Sequence, residues 1–578
     1  MLGRSAANSS KRRRVALLMD AIEDDYQAAI VRGAAVAAQQ EGLELWCLAG
    51  GVVGSQPEDP RCARNFLFDL LRPGDFDGLL VLSGSLGNHL GAPAFERWLG
   101  RYRGVPMVSV GVELGSCQSV IADGAPGMKE VVVHLIHQHN HRRIAFIRGP
   151  ATSFEAEERF AAYRQALAQF GIAEDQRLIL QGNWLRESGA VAVRQLFDDR
   201  GMAVDAVSAI ACANDYMALG AMDALRDRGV AVPSHVAVTG FDDGEVGKCA
   251  VPPLTTVQQP TELMGREGIR RLHAAMDGHA EKPLTRLAAT LVGGRSCGCV
   301  KTAVLLNRHS SAKVGRSLEV AVLERRALIF AELSRSARGS FVGAGVRWEE
   351  RLVTALLTDL RGQHDDAFLS ALDQLMAGLQ REGGDLTQVG PMLGTLRRLL
   401  LDCAPSELEA IVRIGDLVDA ARELVGEWLT RGEALRRMEV IEFSRALSRV
   451  SGSLLRSSDG TPQRASFEQA LRRLDFSVLS LGLFEEPGRA SEQCQCLAAF
   501  ETSGRVHSES RFPSSDFAAP GVFGEGRGAV LVQALVYEGE PLGLLTVPLG
   551  HYHGSLYEQM RETFAISLRG FRLATRQA

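Results

Sequence analysis

Short apolar runs alternate with amphipathic stretches between Val15 and about Val300, and this alternation restricts the possible folds more than any other feature of the sequence. It is typical of βαβ units, in which helices connect the strands of a parallel sheet. The predicted strands are Val15–Met19, Leu43–Leu48, Gly78–Leu82, Met107–Val110, Ile144–Ile147, Ala206–Cys212 and Val236–Thr239. We therefore expect an α/β fold that binds its ligand at the carboxyl ends of these strands.

The pattern changes after Cys299. From about Ser317 to Ser458 the apolar residues recur at alternating spacings of three and four, which predicts helices. The two clearest rows are Ile411, Ile414, Val418, Ala421, Val425 and Trp428, and then Val440, Phe443, Leu447, Val450 and Leu454. This spacing fits a coiled coil and equally fits a helix packed inside its own domain. Pro391 is expected to interrupt one of the shorter helices.

Strand-like runs return near the C-terminus, together with a hairpin turn at Gly539-Glu540. The predicted elements are the strands Ser477–Leu483, Leu497–Glu501, Ala529–Tyr537 and Leu542–Val547 and the helix Tyr557–Arg572. Their order predicts a small antiparallel α+β module, and it faintly resembles a GAF-type sensor domain.

The composition is that of an ordinary globular protein, with 46% hydrophobic and 23% charged residues. A length of 578 residues corresponds to roughly four domains at about 150 residues each. The net charge of −5 provides no positive field for non-specific binding to nucleic acid. Long apolar runs are missing and the ten cysteines are sparse, so we expect a cytoplasmic protein with reduced thiols and no membrane segment.

Eight segments of the first 300 residues, taken in order, resemble the ligand-sensing region of the lactose-repressor (LacI/GalR) family. They are 77–81 (DGLLV), 104–108 (GVPMV), 121–123 (IAD) with Gly127, 141–147 (HRRIAFI) with Gly149-Pro150, 158–160 (ERF) with Tyr163, 213–218 (ANDYMA), 240–243 (GFDD) and 253–257 (PLTTV). The resemblance implies a two-lobed, type I periplasmic-binding-protein-like fold. It also implies that a ligand lies between the lobes and that a hinge closes over it.

The same resemblance implies five ligand contacts. Asp123, Arg159, Asn214 and Asp242 match positions that contact the ligand in this family, and Trp184 resembles an aromatic residue that stacks on a sugar. The chemistry of these side chains suits a polyhydroxylated or purine-like molecule, because carboxylates, an amide and a guanidinium can all pair with hydroxyl groups. An indole face can cover an apolar sugar face.

Simpler roles stay open for some of these side chains. Asp215 and Asp243 directly follow site residues, and we expect them to cap helices rather than to bind the ligand. Trp184 is equally consistent with packing at the hinge or surface.

The resemblance and the change of pattern together predict four segments. These are a disordered basic arm over 1–14, the two-lobed sensor over 15–300, a helical relay or coiled coil over 301–460, and the GAF-like module with its terminal helix over 461–578. Only 14 residues precede Val15, so we expect the helix-turn-helix headpiece of the family to be missing.

We therefore expect a small-molecule sensor that relays hinge closure to a signalling or transcription partner protein. A homodimer is expected, because sensor lobes of this family pair and the heptad rows offer a second interface. DNA would be contacted only indirectly. The alternative is a regulator that binds DNA directly through an unrecognised element in the C-terminal half, where the arginine pairs Arg397-Arg398, Arg436-Arg437 and Arg472-Arg473 lie.

Catalytic and metal motifs receive little support. The sequence lacks a nucleophile elbow, a phosphate loop and a His-Glu-x-x-His motif, so we expect neither an enzyme nor a bound cofactor. We also expect no metal site, although the sequence contains two groups of metal-ligating residues. They are a histidine tract (His134, His137, His139, His141) and two Cys-x-Cys pairs (Cys297/Cys299 and Cys494/Cys496).

Overall fold

A computed structural model of the chain describes residues 12–23, 25–55, 59–279, 283–299, 318–337, 341, 345, 347–360, 367–382, 384–404, 408–455, 474, 476, 478–486, 488–501, 511–523, 528–550 and 554–577. The chain forms two compact units. The first comprises Met1–Val300 together with Arg445–Ala578, and the second comprises Lys301–Ser444.

The N-terminal half of the first unit alternates strands with helices. Its strands are β1 (Arg14–Met19), β2 (Glu44–Ala49), β3 (Gly78–Val81), β4 (Met107–Val110), β5 (Gln118–Asp123), β6 (Ile144–Arg148), β7 (Ile179–Gln181), β8 (Ala209–Cys212), β9 (Ala237–Thr239), β10 (Thr256–Gln258), β11 (Leu284–Ala288) and β12 (Thr290–Val292). Its helices are α1 (Asp25–Gln40), α2 (Phe66–Asp69), α3 (Ser83–Leu86), α4 (Ala92–Leu99), α5 (Gly124–His139), α6 (Phe154–Gln169), α7 (Arg186–Arg194), α8 (Asp215–Asp227), α9 (Glu245–Lys248) and α10 (Thr261–Met276). All seven strands predicted for this half are present.

Two parallel sheets define two lobes in this half. In the first lobe the strand order is β11-β5-β4-β3-β1-β2, and in the second it is β7-β6-β8-β9. The central strands are apolar along their whole length because both faces are covered, as in the fully buried run 209–212 (AIAC) of β8. A short antiparallel pair, β10 with β12, packs with α5 and the core of the second lobe. The expected α/β, periplasmic-binding-protein-like fold is confirmed.

The structure describes only the last three residues of the predicted N-terminal arm, Arg12 to Arg14. β1 begins at Arg14, and the guanidinium of Arg13 pairs with Asp277 at 2.7 Å. Residues 1–11 of the predicted arm lie outside the described residues.

The C-terminal strands continue the sheet of the first lobe. They are β13 (Val478–Phe484), β14 (Gln493–Glu501), β15 (Arg511–Pro513), β16 (Val530–Tyr537) and β17 (Glu540–Pro548), followed by helix α16 (Gly554–Gln577). They add the order β16-β17-β13-β14-β15, and β16 runs parallel to β2 with Leu531 opposite Cys47. The Trp46 and Phe523 rings meet edge to face at 5.8 Å between centroids. The antiparallel α+β segment is thus present and shares one core with the first lobe. Its likeness to a GAF domain stays a prediction.

The second unit is helical where it is described. Its helices are α11 (Leu318–Ser336), α12 (Trp348–Leu360), α13 (Ala367–Glu382), α14 (Val389–Cys403) and the first part of α15 (Leu408–Leu455). Ile414, Ala421 and Val425 of the first heptad row are buried in the core of this unit, so that row packs inside its own domain. Pro391 does not interrupt a helix, because it lies in the first turn of α14, where its missing N–H is not needed.

The four-segment division over 1–14, 15–300, 301–460 and 461–578 remains a prediction.

Among the described helices, none combines the length and apolar character that a bilayer crossing requires.

Candidate functional site

Arg159 lies at the centre of the predicted ligand site. Helix α6 carries it to the ends of β8 and β9, where its side chain is only 3% exposed. One terminal nitrogen donates to the carbonyl of Ala213 at 2.7 Å, and the other donates to Glu155 at 3.0 Å. Within the described part of the chain, its Nε is buried and has no hydrogen-bond partner. A buried guanidinium with an unused donor is costly unless another group pairs with it.

Two aromatic rings hold this guanidinium. Its carbon lies 3.9 Å from the centroid of Phe241 and 5.4 Å from that of Trp184. The backbone of Trp184 is left-handed, with a φ of 74°, and the indole packs on Gly149. A Cβ at Gly149 would lie 2.5 Å from the indole ring, so only glycine fits there. Trp184 therefore packs at the site. This position is compatible with both interpretations of the sequence, a residue that stacks on a sugar or one that packs at the hinge or surface.

Asp242 also lies next to the guanidinium of Arg159. One carboxylate oxygen accepts a hydrogen bond from Gln259 at 2.6 Å and lies 3.8 Å from the guanidinium. Its φ of 122° is rare for a residue with a side chain and costs on the order of 1–3 kcal/mol. Such strain is typical of functional loops, and the side chain remains 20% exposed.

Asn214 has a positioning role in the structure. Its side-chain oxygen caps α8 by accepting from the backbone N–H of Met217 at 2.9 Å. Its side-chain nitrogen donates to the carbonyl of Trp184 at 3.0 Å. The amide therefore fixes the loop that carries the tryptophan.

Asp123 lies at the rim of the site. It occupies the position before the first turn of α5 but makes no side-chain cap bond there. Its carboxylate is 3.9 Å from Arg286, which also lies 3.4 Å from Glu158 on α6. Arg286 thus links β11 of the first lobe to a helix of the second.

The expectation that Asp215 and Asp243 cap helices is not what the structure shows. The cap of α8 is Asn214, whereas the buried carboxylate of Asp215 accepts from Thr256 Oγ1 at 2.6 Å and from the backbone N–H of Gly244 at 2.9 Å. Burial, and then the charge of Asp242, raises the pKa of Asp215 well above its ordinary value. Asp243 instead accepts from Gln258 at 3.1 Å and lies 3.6 Å from Lys248, so both acids order the loop after β9.

Glu155 is a site residue that the sequence reasoning missed. It stands in the first turn of α6, four residues before Arg159, and its carboxylate lies 3.2 Å from the position that a Cβ on Gly84 would take. An acid of the second lobe therefore reaches helix α3 of the first. Burial raises the pKa of Glu155 from its ordinary value. The Glu-x-x-x-Arg spacing on a helix was the available sequence signal.

Hydrogen bonds also join the two lobes on either side of the site. Thr152 Oγ1 donates to the carbonyl of Asn88 at 2.6 Å, and the backbone N–H of Glu245 donates to Asp25 at 3.2 Å. These contacts are few and polar, which is the kind of connection that a hinge motion can break and remake.

A surface cavity of about 710 Å³ lies elsewhere on the second lobe. Arg142, Arg177 and Arg200 line it. The five predicted site residues, Asp123, Arg159, Trp184, Asn214 and Asp242, are not among its lining residues. Arg177 is paired with Asp175 at 2.7 Å, and Arg200 donates to backbone carbonyls, so the cations of this cavity are already engaged.

The sequence of the chain is similar to those of known transcription regulators. Residues 132–297 match the family model described as a periplasmic binding protein-like domain. The HTH-type transcriptional regulator CelR of Thermobifida fusca is 36% identical over 279 residues, which cover 48% of this chain and 76% of that protein. The HTH-type transcriptional regulator AscG of Escherichia coli K12 is 41% identical over 177 residues, 31% of this chain and 51% of that protein. A solved CelR–cellobiose complex covers 50% of this chain and 85% of its own, with 32% identity and a TM-score of 0.42.

Proposed function

The chain belongs to the LacI/GalR family of transcriptional regulators, and on that premise we propose that it senses a small polar metabolite of the sugar or nucleoside class. The ligand would bind between the two lobes, where Arg159, Asp242, Asp123 and Trp184 form the site. Asn214 would act by positioning Trp184. The observation that carries the proposal is the buried guanidinium of Arg159, whose Nε has no partner in the described chain.

The surroundings of Arg159 favour a hydroxylated ligand over an apolar one. Acidic groups flank the guanidinium on two sides, at 3.0 Å for Glu155 and 3.8 Å for Asp242. Carboxylates accept hydrogen bonds from ligand hydroxyls, and an apolar ligand would leave the buried Nε of Arg159 without a partner among the described residues. The indole of Trp184 supplies a face on which a sugar or base ring can stack.

The response would be a change in the hinge between the lobes. A ligand shifts such an equilibrium only by its difference in affinity for the two states. Glu155 and Arg286 already reach from one lobe to the other, so a ligand that competes for either side chain changes the balance directly.

The output would be transcriptional or signalling control in the cytoplasm, exerted by a homodimer through a partner protein. Both curated relatives described above carry the name HTH-type transcriptional regulator, which supports a role in transcription. Direct binding to DNA is the alternative. A gel-shift experiment with upstream DNA at two salt concentrations separates the two, because binding through phosphate contacts weakens steeply with salt.

A thermal-shift screen of the full chain against sugars, nucleosides and polyols tests the ligand site. A ligand at about 100 times its Kd stabilises the folded state by about 2.7 kcal/mol, which a melting curve resolves. Asp242→Asn is expected to abolish most of the shift given by a hit. Asp243→Asn is the matched control, because it changes a neighbouring acid that bonds to Gln258 instead. An equal loss in both variants, or none in Asp242→Asn, would count against the proposed site.

A further inference from the structure

Four metal-ligating side chains from distant parts of the sequence come together on the second lobe. His134 and His139 lie in the last turns of α5, and Cys297 and Cys299 follow β12. One ligand atom from each of the four lies within 4.8 Å of every other. In the sequence the histidine tract and the Cys-x-Cys pairs are separate motifs.

The separations between these atoms suit a single tetrahedral metal ion. Nε2 of His134 is 3.4 Å from Sγ of Cys297 and 3.4 Å from Sγ of Cys299, and Nε2 of His139 is 3.3 Å from Sγ of Cys299. With Zn–N bonds of about 2.0–2.1 Å and Zn–S bonds of about 2.3 Å, tetrahedral angles place nitrogen and sulfur ligands roughly 3.6 Å apart. These three nitrogen–sulfur distances differ from that value by only tenths of an ångström, and all four ligand atoms lie within 4.8 Å of one another.

The surrounding backbone and side chains support these ligands. Gly298 has a φ of 101°, which lets the chain turn between the two cysteines, and a Cβ there would lie 3.4 Å from the His139 ring. The hydroxyl of Thr255 donates to Sγ of Cys297 at 3.0 Å. A donor of this kind supports a metal-bound thiolate and fixes its direction. Cys297 itself is buried, which limits its access to oxidants.

We propose that His134, His139, Cys297 and Cys299 form a structural zinc site. Two thiolates and two imidazoles are a ligand set that selects zinc over oxygen-preferring cations such as magnesium or calcium. Four protein ligands leave no open position for a substrate, so the ion would have a structural role rather than a catalytic one. It would fasten the last residues of the two-lobed half to α5, immediately before the chain enters the second unit. This proposal does not depend on which metabolite the sensor binds.

The zinc content of the purified full-length protein tests the site. Elemental analysis is expected to find about one zinc per chain, and Cys297→Ser combined with Cys299→Ser is expected to remove it. The matched control is Cys494→Ser combined with Cys496→Ser, because this second Cys-x-Cys pair lies on β14, where Cys494 is 3.3 Å from Ser514. Retention of zinc in the variant that lacks Cys297 and Cys299 would overturn the proposal.

Cobalt titration of the metal-free wild-type chain keeps the test independent of whether the cysteine variants fold. A tetrahedral site with thiolate ligands gives intense visible bands and a near-ultraviolet charge-transfer band when cobalt binds. His139→Gln is expected to weaken cobalt binding about tenfold or more, whereas His137→Gln, an exposed neighbour on the same helix, is expected to have no effect. A wild-type chain that gives no such bands under reducing conditions would overturn the proposal.

Discussion

Arg64 and Glu558 form an ion pair at 2.6 Å although 494 residues separate them in the sequence. The pair joins the first lobe to α16, and both side chains are largely buried, at 10% and 14% exposed. Burial alone would raise the pKa of Glu558, but hydrogen bonds and charges from Arg561 and Arg64 outweigh it and lower that pKa. The C-terminal segment is thus held to the N-terminal half by charge as well as by the shared core.

Glu23 lies beside this pair, and its replacement is expected to change how stability depends on pH. Burial, and then the negative charge of Glu558, raises the pKa of Glu23 from 4.5 to about 7. When folding raises the pKa of an acid, the folded protein loses stability as the pH rises from the pKa of the unfolded state through the pKa of the folded state. Glu23→Gln should therefore remove part of the decline in melting temperature between pH 4.5 and about pH 7. Parallel wild-type and variant curves over that range would contradict this.

The position of β16 beside β2 in the sheet can be tested by a substitution at Val532. This side chain is fully buried and lies opposite Leu48 of β2. Val532→Asp is expected to lower the free energy of unfolding by roughly 3 kcal/mol or more, because the carboxylate would be buried without a partner. Arg489→Asp, on an exposed turn, is the control and should stay within about 0.5 kcal/mol in urea unfolding. Similar midpoints for both variants would argue against this pairing.

The crossing of α1 and α10 depends on glycines. A Cβ on Gly265 would lie 2.0 Å from the carbonyl oxygen of Ile30, so Gly265→Ala must push the helices apart. We expect a loss of about 1–3 kcal/mol in chemical unfolding, even though alanine favours a helix. Gly100→Ala is the matched control, since nothing lies within 4 Å of its Cβ position. A stabilised Gly265→Ala variant would show that the helices do not approach so closely.

The core of the second unit can be weakened without changing the sensor. Leu396 on α14 is fully buried, and Leu396→Ala is expected to cost about 2–5 kcal/mol through the cavity it leaves. Thr395→Ala, at a partly exposed neighbouring position, should cost less than about 1 kcal/mol. The ligand-induced melting shift of the two-lobed half should persist in both variants, and its loss in Leu396→Ala alone would contradict the separation of the units.

Much of the fold was predictable because parallel strands buried on both faces leave unbroken apolar runs. β8 is such a run, and its predicted and observed ends agree to within three residues. β11 was missed because it lies at the edge of the sheet and its residues are half exposed, so its sequence does not stand out. The pairing of β16 with β2 was not predictable, since strand partners so distant in sequence leave no local pattern.

The site was predictable where chemistry and family pattern coincide. Arg159, Trp184 and Asp242 were expected to lie together, and they do. Their role in binding a ligand stays a prediction. The grouping of His134 with Cys297 was not foreseen, because metal motifs are read from short spacings whereas the fold brings these residues together across 163 positions.

The parallel pairing of β2 with β16 also affects the polypeptide while it is being synthesised. Until β16 is synthesised, the free edge of β2 presents unpaired amide and carbonyl groups, which can pair with strands of other nascent chains. β2 ends at Ala49 and β16 begins at Val530, so 480 residues are translated between them before this edge of the sheet is paired. Chaperone protection during that interval, rather than the final stability, would then limit the yield of folded protein.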